Sequence, residues 1–353
     1  MLEIRCTGTP YEIGFTHGKL AKKQIAGSID FYAELFAKSC SMSWTEVVQE
    51  ALSYSEILKQ FAARYLEEIN GIADGACIPF LDILALNIRS EIVFGLFSDK
   101  RSGVTDTPSD GCTSLGWLAG SKAFLSQNWD WKVEQGPNLI ICYISQPGTE
   151  FPDIAMVTEA GIIGKIGLNS NGIGCCLNAI RCRGLDRSRW PIHFALRAVL
   201  ESKCREDAVE MVKSFGVAGG GHILIGDATG FVGLECTSTW VKELPMGEDG
   251  RVCHTNHILL DNSGIDEPLW LNDSPSRLAR VRELAAQIPE PTLDRIFEIF
   301  KDTEGYPASI NRKQGAGSEA QTLFTIIMDL SSKNAQVTTG RPTEFREQFI
   351  LRF

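Results

Sequence analysis

The pattern of apolar and polar residues changes its character after the first third of the chain. Before that point, residues 2–7 read as a short strand, and helical stretches are predicted near 18–39 and 44–70. The last of these repeats apolar residues at three- and four-residue spacing, at Leu58, Phe61, Tyr65 and Ile69. This spacing is the period of an amphipathic helix, so the N-terminal third is predicted to be mostly helical.

From residue 112 onward, strand-like segments alternate with pairs of helices. Successive strands are predicted at TSLGWLAG, AFLSQNWDW, LIICYIS, IAMVTEAG, HILIGDATG, FVGLECTST, TLFTIIMDL, AQVTTG and FILRF. Helices are predicted at 191–203, at 207–215, and starting near Ser274 and Pro291. Strands in consecutive hairpins with helices in separate pairs predict an α+β fold, a four-layer αββα sandwich of two antiparallel sheets flanked by helices. They do not fit a doubly wound parallel sheet.

The best break in the pattern is the segment SDKRSGVTDTPSDG, residues 98–111, which is polar and rich in turn-forming residues. It predicts a division into a helical segment, 1–111, and a segment 112–353 that carries most of the strands. The two segments are expected to form one domain together.

Composition narrows the class of protein. The chain has 353 residues, of which 44% are hydrophobic and 22% charged, as is usual for a globular protein with its own core. A net charge of −10 argues against nucleic acid or an anionic membrane as the main partner. Eleven cysteines without CxxC pairs, no secretion signal at the start and no apolar run long enough for a bilayer favour a cytoplasmic protein with reduced thiols.

One cysteine stands in a setting that favours chemistry. In PSDGCTSLGW, Cys112 follows a polar loop and begins a predicted strand. If the Gly111–Cys112 bond were cut, Cys112 would have a free α-amino group with an ordinary pKa near ~8, able to accept the proton of its own thiol. Glycine before the nucleophile removes the Cβ that would obstruct attack on its carbonyl and tolerates strained dihedral angles. The tripeptide alone also fits an ordinary turn.

Two further residues strengthen the chemical interpretation. Asp130 ends the strand SQNWDW, one hairpin away from Cys112, and Asn256 follows another strand in VCHTNH. A primary amide at that place could donate a hydrogen bond to a developing oxyanion. These residues meet only if the strand predictions are right.

The blocks around these residues resemble a known family in order and nearly end to end. MLEIRCTGTPYEIGFTHG, DGCTS, QNWDW, TEAGIIGKIGLNSNGIG, HTNH, LFTIIMDL and GRPTE…FILRF look like the acyl-coenzyme A:6-aminopenicillanic acid (isopenicillin N) acyltransferases, C45 peptidase-like N-terminal nucleophile hydrolases. The resemblance implies an αββα fold, self-cleavage between Gly111 and Cys112, α and β chains that stay together, and acyl transfer through a cysteinyl thioester. It implies that Cys112 is the nucleophile, that Asp130 supports the catalytic hydrogen bonds, and that Asn256 helps to form the oxyanion hole.

The resemblance has two departures. In the run GAGSEAQTLF, Ser318 matches the family, but Glu319 stands where a family member has an arginine, which reverses a charge near the expected site. Both residues are candidate substrate-binding residues, and Glu319 puts the penicillin reaction in question. The C-terminus, LRF, also differs from a peroxisomal SKL-type address, which again favours the cytoplasm.

Other candidates are weaker. Arg181 and Arg183, in the loop RCRGLDRSRW, either form a solvated loop or recognise a carboxylate or the phosphates of coenzyme A. His254 and His257 are three residues apart and should point to opposite sides of a strand, so no metal is expected. No bound cofactor is predicted, with a coenzyme A thioester as a co-substrate.

Three functions remain open at this stage. The first is a self-processing N-terminal cysteine enzyme that moves acyl groups from a coenzyme A thioester or an amide to an amine or water. The second is an amidohydrolase of N-acyl amino acids or lipoamides that does not use coenzyme A. The third, from another class, is an inert scaffold or binding protein with the same fold.

Overall fold

The computed structural model describes residues 1–95, 111–268, 271–315 and 318–353. These residues form nine α-helices: α1 (Pro10–Leu20), α2 (Lys22–Ser39), α3 (Trp44–Leu58), α4 (Ala63–Ala76), α5 (Phe80–Asn87), α6 (Ile192–Leu200), α7 (Arg205–Phe215), α8 (Ser274–Ala286) and α9 (Leu293–Phe300). A π-helical turn, Glu91–Gly95, follows α5, and a 3-10 segment spans Val133–Asn138.

The same residues form fourteen strands. They are β1 (Leu2–Thr7), β2 (Gly111–Ala119), β3 (Lys122–Trp131), β4 (Leu139–Ser145), β5 (Ile154–Glu159), β6 (Ile166–Asn169), β7 (Gly174–Asn178), β8 (Gly221–Asp227), β9 (Gly230–Cys236), β10 (Val241–Pro245), β11 (Arg251–His254), β12 (Gln321–Asp329), β13 (Asn334–Thr339) and β14 (Gln348–Leu351).

The strands form two sheets that pack face to face. One sheet has eight strands in the order β1-β4-β5-β6-β7-β8-β9-β10, and the other has six in the order β11-β2-β3-β12-β13-β14. Strands β2 and β3 pack against β7, β8 and β9 of the larger sheet, while α6 and α7 lie on that sheet's outer side and α8 and α9 cover the smaller sheet. The predicted α+β, four-layer αββα arrangement is therefore confirmed.

One strand pair differs from the predicted antiparallel sheets. Strand β1 pairs with β4 in parallel, with Leu2 opposite Ile140 and Thr7 opposite Ser145. The other strand pairs of the described residues are antiparallel. Five helices and the β2–β3 hairpin lie between β1 and β4 in the chain, so no short turn dictates their direction.

The N-terminal helices are shorter and more numerous than the sequence pattern predicts. Thr9 and Ser43 form capping boxes that begin α1 and α3, and the predicted helix 44–70 is broken into α3 and α4 around residues 59–62. Helix α5 was not predicted. The apolar spacing of α3 continues into α4, because each helix buries one of its sides. Periodicity alone therefore does not reveal the break between the two helices. The predicted linker, 98–111, lies outside the described residues except for Gly111.

The larger of two hydrophobic clusters joins the two predicted segments. It contains Ile25, Tyr32 and Leu84 from the N-terminal segment together with Ile140 and Phe194 from the remainder. Segments that share one core are not independent domains.

Two buried ion-pair networks also join these segments. In the first, Arg197 of α6 makes a bidentate pair with Glu68 of α4, with distances of 2.8 and 2.7 Å, and a 2.9 Å pair with Glu201. In the second, Glu159 accepts from Arg89 at 2.8 Å and also bonds Lys165. Burial opposes ionisation of Glu159, but these two cations hold its pKa well below its usual range.

Candidate active site

Cys112 is the second residue of β2, in the middle of the molecule. It lies opposite Trp129 of β3, and its neighbour Gly111 lies opposite Asp130. Cys112 is only 1% exposed. The hairpin predicted to bring Asp130 close to the cysteine is therefore present, with the two residues one register position apart.

Asp130 and the Cys112 side chain nevertheless lie on opposite faces of the smaller sheet. Side chains alternate along a strand, so Cys112 and Trp129 share one face, and Asp130 shares the other with Thr322, its register partner on β12. The Thr322 hydroxyl donates a 2.6 Å hydrogen bond to Asp130 Oδ1. Burial raises the pKa of Asp130 to about 6, although Arg312, Arg277 and Thr322 act in the opposite direction.

Gly111 occupies a place that has no room for a side chain. A Cβ atom there would lie 2.6 Å from Arg312 Nε and 2.8 Å from Asp130 Oδ2. Arg312 Nε itself lies 3.4 Å from that carboxylate oxygen, a pair of close charges without hydrogen-bond geometry. Glycine is thus required here by close approach, and Gly111 is not among the residues with positive φ.

Asn256 lies two residues beyond β11 and reaches the nitrogen of Cys112. Its Oδ1 accepts a 2.9 Å hydrogen bond from the Cys112 N–H, and its Nδ2 donates to the Ala179 carbonyl at 3.0 Å. The structure therefore brings Asn256 and Cys112 together. The amide oxygen of Asn256, however, faces the cysteine nitrogen, and Nδ2 carries a second N–H besides the one that bonds Ala179.

Charged residues from α8 and from the loop before β12 complete the site. Arg277 donates to the Cys112 carbonyl at 2.7 Å, to Thr113 Oγ1 at 3.1 Å and to Asn256 Oδ1 at 2.8 Å. Its Nε donates to Asp273 at 2.6 Å, and Arg312 bonds the same carboxylate oxygen. Both arginines are almost completely buried.

The sequence pattern does not identify Arg277, Arg312, Asp273 or Thr322 as site residues. Only Thr322 could have been found from the sequence, because pairing of β12 with β3 places it beside Asp130. The reach of Arg277 and Arg312 depends on how α8 and the loop pack against the sheet.

A small cavity lies beside Cys112, on the side that faces the larger sheet. It has about 10 Å³ of space, room for about one water molecule. Its wall combines Trp129 and Leu177 with Ser90 and Arg89 of the N-terminal segment. A chemical group bound in this cavity would contact apolar side chains at one end and polar side chains at the other. Both predicted segments contribute to the wall.

The candidate substrate-binding residues differ in whether they contact the site around Cys112. Ser318 joins the site, because Arg312 Nη1 donates to its hydroxyl at 3.2 Å. Glu319 is exposed and pairs with Lys132 at 2.8 Å, so a lysine neutralises the charge reversal. Arg183 pairs with Asp266 at 2.7 Å, and burial lowers the pKa of Arg181; among the described contacts, neither belongs to the Cys112–Asn256–Arg277 network.

The remaining histidines and cysteines have other surroundings. His254 stacks on His222 and bonds Glu235, and no group of three metal-ligating side chains occurs in the described parts of the chain. Burial raises the pKa of Cys175, Cys182 and Cys253 to about 12, which keeps these thiols protonated and poorly nucleophilic.

With this geometry in place, comparison with known proteins identifies the family. The family model for acyl-coenzyme A:6-aminopenicillanic acid acyl-transferase matches residues 117–344. The chain belongs to this family. It is therefore an enzyme of acyl transfer or amide hydrolysis, and the inert scaffold considered above receives no support.

Two relatives of the acyltransferase family match along nearly the whole chain. The acyl-coenzyme A:6-aminopenicillanic-acid-acyltransferase 40 kDa form of Emericella nidulans is 37% identical over 356 residues, covering 100% of this chain and 96% of its own. The beta-alanyl-dopamine/carcinine hydrolase of Drosophila melanogaster is 22% identical over 370 residues, covering 96% of this chain and 92% of its own.

Solved structures give more distant matches. Penicillin V acylase from Agrobacterium tumefaciens aligns with 65% of this chain and 83% of its own, at 12% identity and a TM-score of 0.45. A variant of conjugated bile acid hydrolase from Clostridium perfringens aligns with 68% and 92%, at 14% identity and a TM-score of 0.48.

Proposed function

We propose that this protein is a self-processing N-terminal cysteine acyltransferase with Cys112 as nucleophile. The single observation that carries the proposal is the 2.9 Å hydrogen bond from the Cys112 nitrogen to Asn256, formed where Gly111 is pressed against Asp130 and Arg312. This nitrogen belongs to the bond that would break, and would afterwards be the free amine of the nucleophile.

Self-cleavage would proceed by transfer of an acyl group from nitrogen to sulfur. The Cys112 sulfur attacks the carbonyl carbon of Gly111, the bond from that carbon to the Cys112 nitrogen breaks, and the nitrogen keeps the thiol proton. Water then hydrolyses the thioester, which releases the Gly111 carboxylate and restores the thiol. Arg312 lies beside Gly111 and would supply positive charge near the residue whose carbonyl is attacked.

Turnover would use the same atoms with a new acyl donor. The Cys112 amine takes the thiol proton, the thiolate attacks the donor carbonyl, and the leaving thiol or amine receives that proton. Asn256 would hold the amine through Oδ1 and offer an N–H to the oxyanion. Asp130 would act through the backbone of Gly111 and through Arg312, since its side chain faces away from the thiol.

We propose a coenzyme A thioester or an N-acyl amide as donor, and an amine such as 6-aminopenicillanic acid, or water, as acceptor. A hydrolase that does not use coenzyme A is the second candidate. Its motive is the acid Glu319 at a position where a family member has a cationic residue, although Lys132 pairs with this acid. Ser318, Arg181 and Arg183 stay candidate substrate-binding residues.

Acylation of the purified protein tests this function. The chain that begins at Cys112 should gain one acyl mass after brief exposure to an acyl-coenzyme A or an N-acyl amino acid, and Cys112→Ala should gain none. Transfer to 6-aminopenicillanic acid separates the acyltransferase from the hydrolase. A processed protein that never forms an adduct with either donor class would overturn the proposal.

Gly111→Ala should slow self-cleavage by about 100-fold, because a displacement of about 1 Å at a reacting centre has an effect of that size. The added methyl would force Arg312 or the strand end to move. The fraction of uncleaved chain, followed by denaturing mass spectrometry, measures the effect. Gly136→Ala is the matched control, since the nearest atom to its added Cβ is 3.9 Å away. Normal cleavage of Gly111→Ala would contradict the proposed role of close approach.

We further propose that the two chains remain associated and that the enzyme works in the cytoplasm. Cys175, Cys182 and Cys253 are buried free thiols, as is usual in a reducing compartment. Within the described ranges, no helix combines the length and the apolar character needed to cross a membrane.

A further inference from the structure

We propose that Arg277 is a positioning residue of this active site, which holds Asn256 in the orientation that receives the Cys112 nitrogen and lowers the pH at which the site becomes active. The inference rests on the proposed function, because it treats the Cys112 nitrogen as the future base. Neither the family motif blocks nor the strand pattern singled out this residue.

The contacts of Arg277 show where it acts. It lies in the first turn of α8 and is 2% exposed. One terminal nitrogen bonds the Cys112 carbonyl at 2.7 Å and Thr113 Oγ1 at 3.1 Å, and the other bonds Asn256 Oδ1 at 2.8 Å. The guanidinium group therefore spans the nucleophile's backbone and the residue that binds its nitrogen.

Arg277 determines which way the Asn256 amide points. Oδ1 accepts from two donors, the Cys112 N–H and Arg277, while Nδ2 donates to the Ala179 carbonyl. Turning the amide by 180° would place its NH2 group against two donors and its oxygen against a carbonyl oxygen. A guanidinium group cannot accept a hydrogen bond, so Arg277 excludes the turned orientation before and after cleavage.

The charge of Arg277 acts on the same nitrogen. Since Cys112 N and Arg277 Nη2 share one acceptor, they lie within about 6 Å of each other. A cation at this range in a buried site disfavours protonation of an amine. Loss of the charge should therefore raise the proton affinity of the amine.

Other charged groups face this nitrogen from the surrounding elements. Asp130 and Arg312 lie at the neighbouring Gly111, Asp273 binds both arginines at the start of α8, and Arg89 is in the wall of the cavity. Arg277 also opposes protonation of Asp130. Removing it shifts the amine and Asp130 in the same direction, toward protonation at higher pH.

The test uses Arg277→Met and Arg277→Lys in the full chain, with Arg280→Met as matched control. Arg280 lies one turn later on α8, away from the site, and pairs with Asp302 at 2.8 Å. Self-cleavage is followed by mass spectrometry, and kcat/KM for an N-acyl substrate is measured against pH.

We expect Arg277→Met to lose about 100-fold in kcat/KM and to move the acid limb of the profile upward by about one pH unit. Arg277→Lys should keep the limb near that of the unaltered protein, but recover only part of the rate, because an ammonium group cannot reproduce a planar fork of donors. Arg280→Met should change neither.

Two results would overturn the inference. The first is a normal rate and an unmoved acid limb of the pH profile in Arg277→Met. The second is an equal loss of rate in both Arg277 variants with an unmoved acid limb, because such a result would indicate a structural effect alone. Failure of the proposed function looks different: the unaltered protein itself would remain one chain or form no acyl adduct on Cys112.

Discussion

The Cys112→Ala protein is expected to remain a single chain of 38.8 kDa under denaturing conditions, while the unaltered protein separates into residues 1–111 and 112–353. Removing the sulfur removes the atom that would attack Gly111, and no other thiol occupies its place on β2. Acyl transfer should fall by about 1,000-fold or more, because a covalent nucleophile has no substitute. Denaturing mass spectrometry and a thioester-release assay measure the two effects.

Cys253→Ala provides the matched control for this experiment. Cys253 is also a buried thiol and lies on β11, directly opposite Leu115 of β2. The Cys253→Ala protein should undergo self-cleavage and should turn over its substrate at the normal rate. If Cys112→Ala were still cut at Gly111, an outside protease would be responsible; an unaltered protein that stays intact would rule out the N-terminal nucleophile mechanism.

The second large effect is expected at the buried ion pairs that join the two segments. Arg197→Met should lower the free energy of unfolding by about 3–5 kcal/mol, since it leaves Glu68 buried without its cation and removes one of the two arginines that pair with the buried Glu201. Denaturant unfolding should be measured in the Cys112→Ala background, where the protein is one chain and the transition does not depend on concentration.

The control for Arg197→Met is Arg187→Met. Arg187 also pairs across the segments, with Glu50 at 2.5 Å, but it is 36% exposed, and exposed pairs contribute about 0–1 kcal/mol. In the cleaved protein, Arg197→Met should also release more of the N-terminal chain during size-exclusion chromatography. Equal effects of the two substitutions would contradict the role assigned to the buried network.

Much of the fold follows from local pattern. Strands β1 to β5 lie where strand-like runs between turn residues predict them, because such runs and turns are properties of a few neighbouring positions. The parallel pairing of β1 with β4 was not predictable in this way. The pairing depends on the packing of α1 to α5, and the sequence of neither strand specifies its partner.

Local pattern also led to the first members of the site. Cys112 begins a predicted strand and Asp130 and Asn256 lie at or just after the ends of two others, and the structure brings all three to one region. Glu319 shows the opposite case: the sequence reports its charge, but only the structure shows that Lys132 neutralises it.

By itself, the sequence determined the fold class and the family and singled out Cys112 as the candidate nucleophile, because these inferences rest on short runs of neighbouring residues. The tertiary structure alone decided that Asp130 faces away from the thiol and that Gly111 has no room for a Cβ atom. It also decided that Arg277 and Arg312 reach the site. These features depend on side chains from α8 and a distant loop crossing to the end of β2, and such long-range packing leaves no period in the sequence.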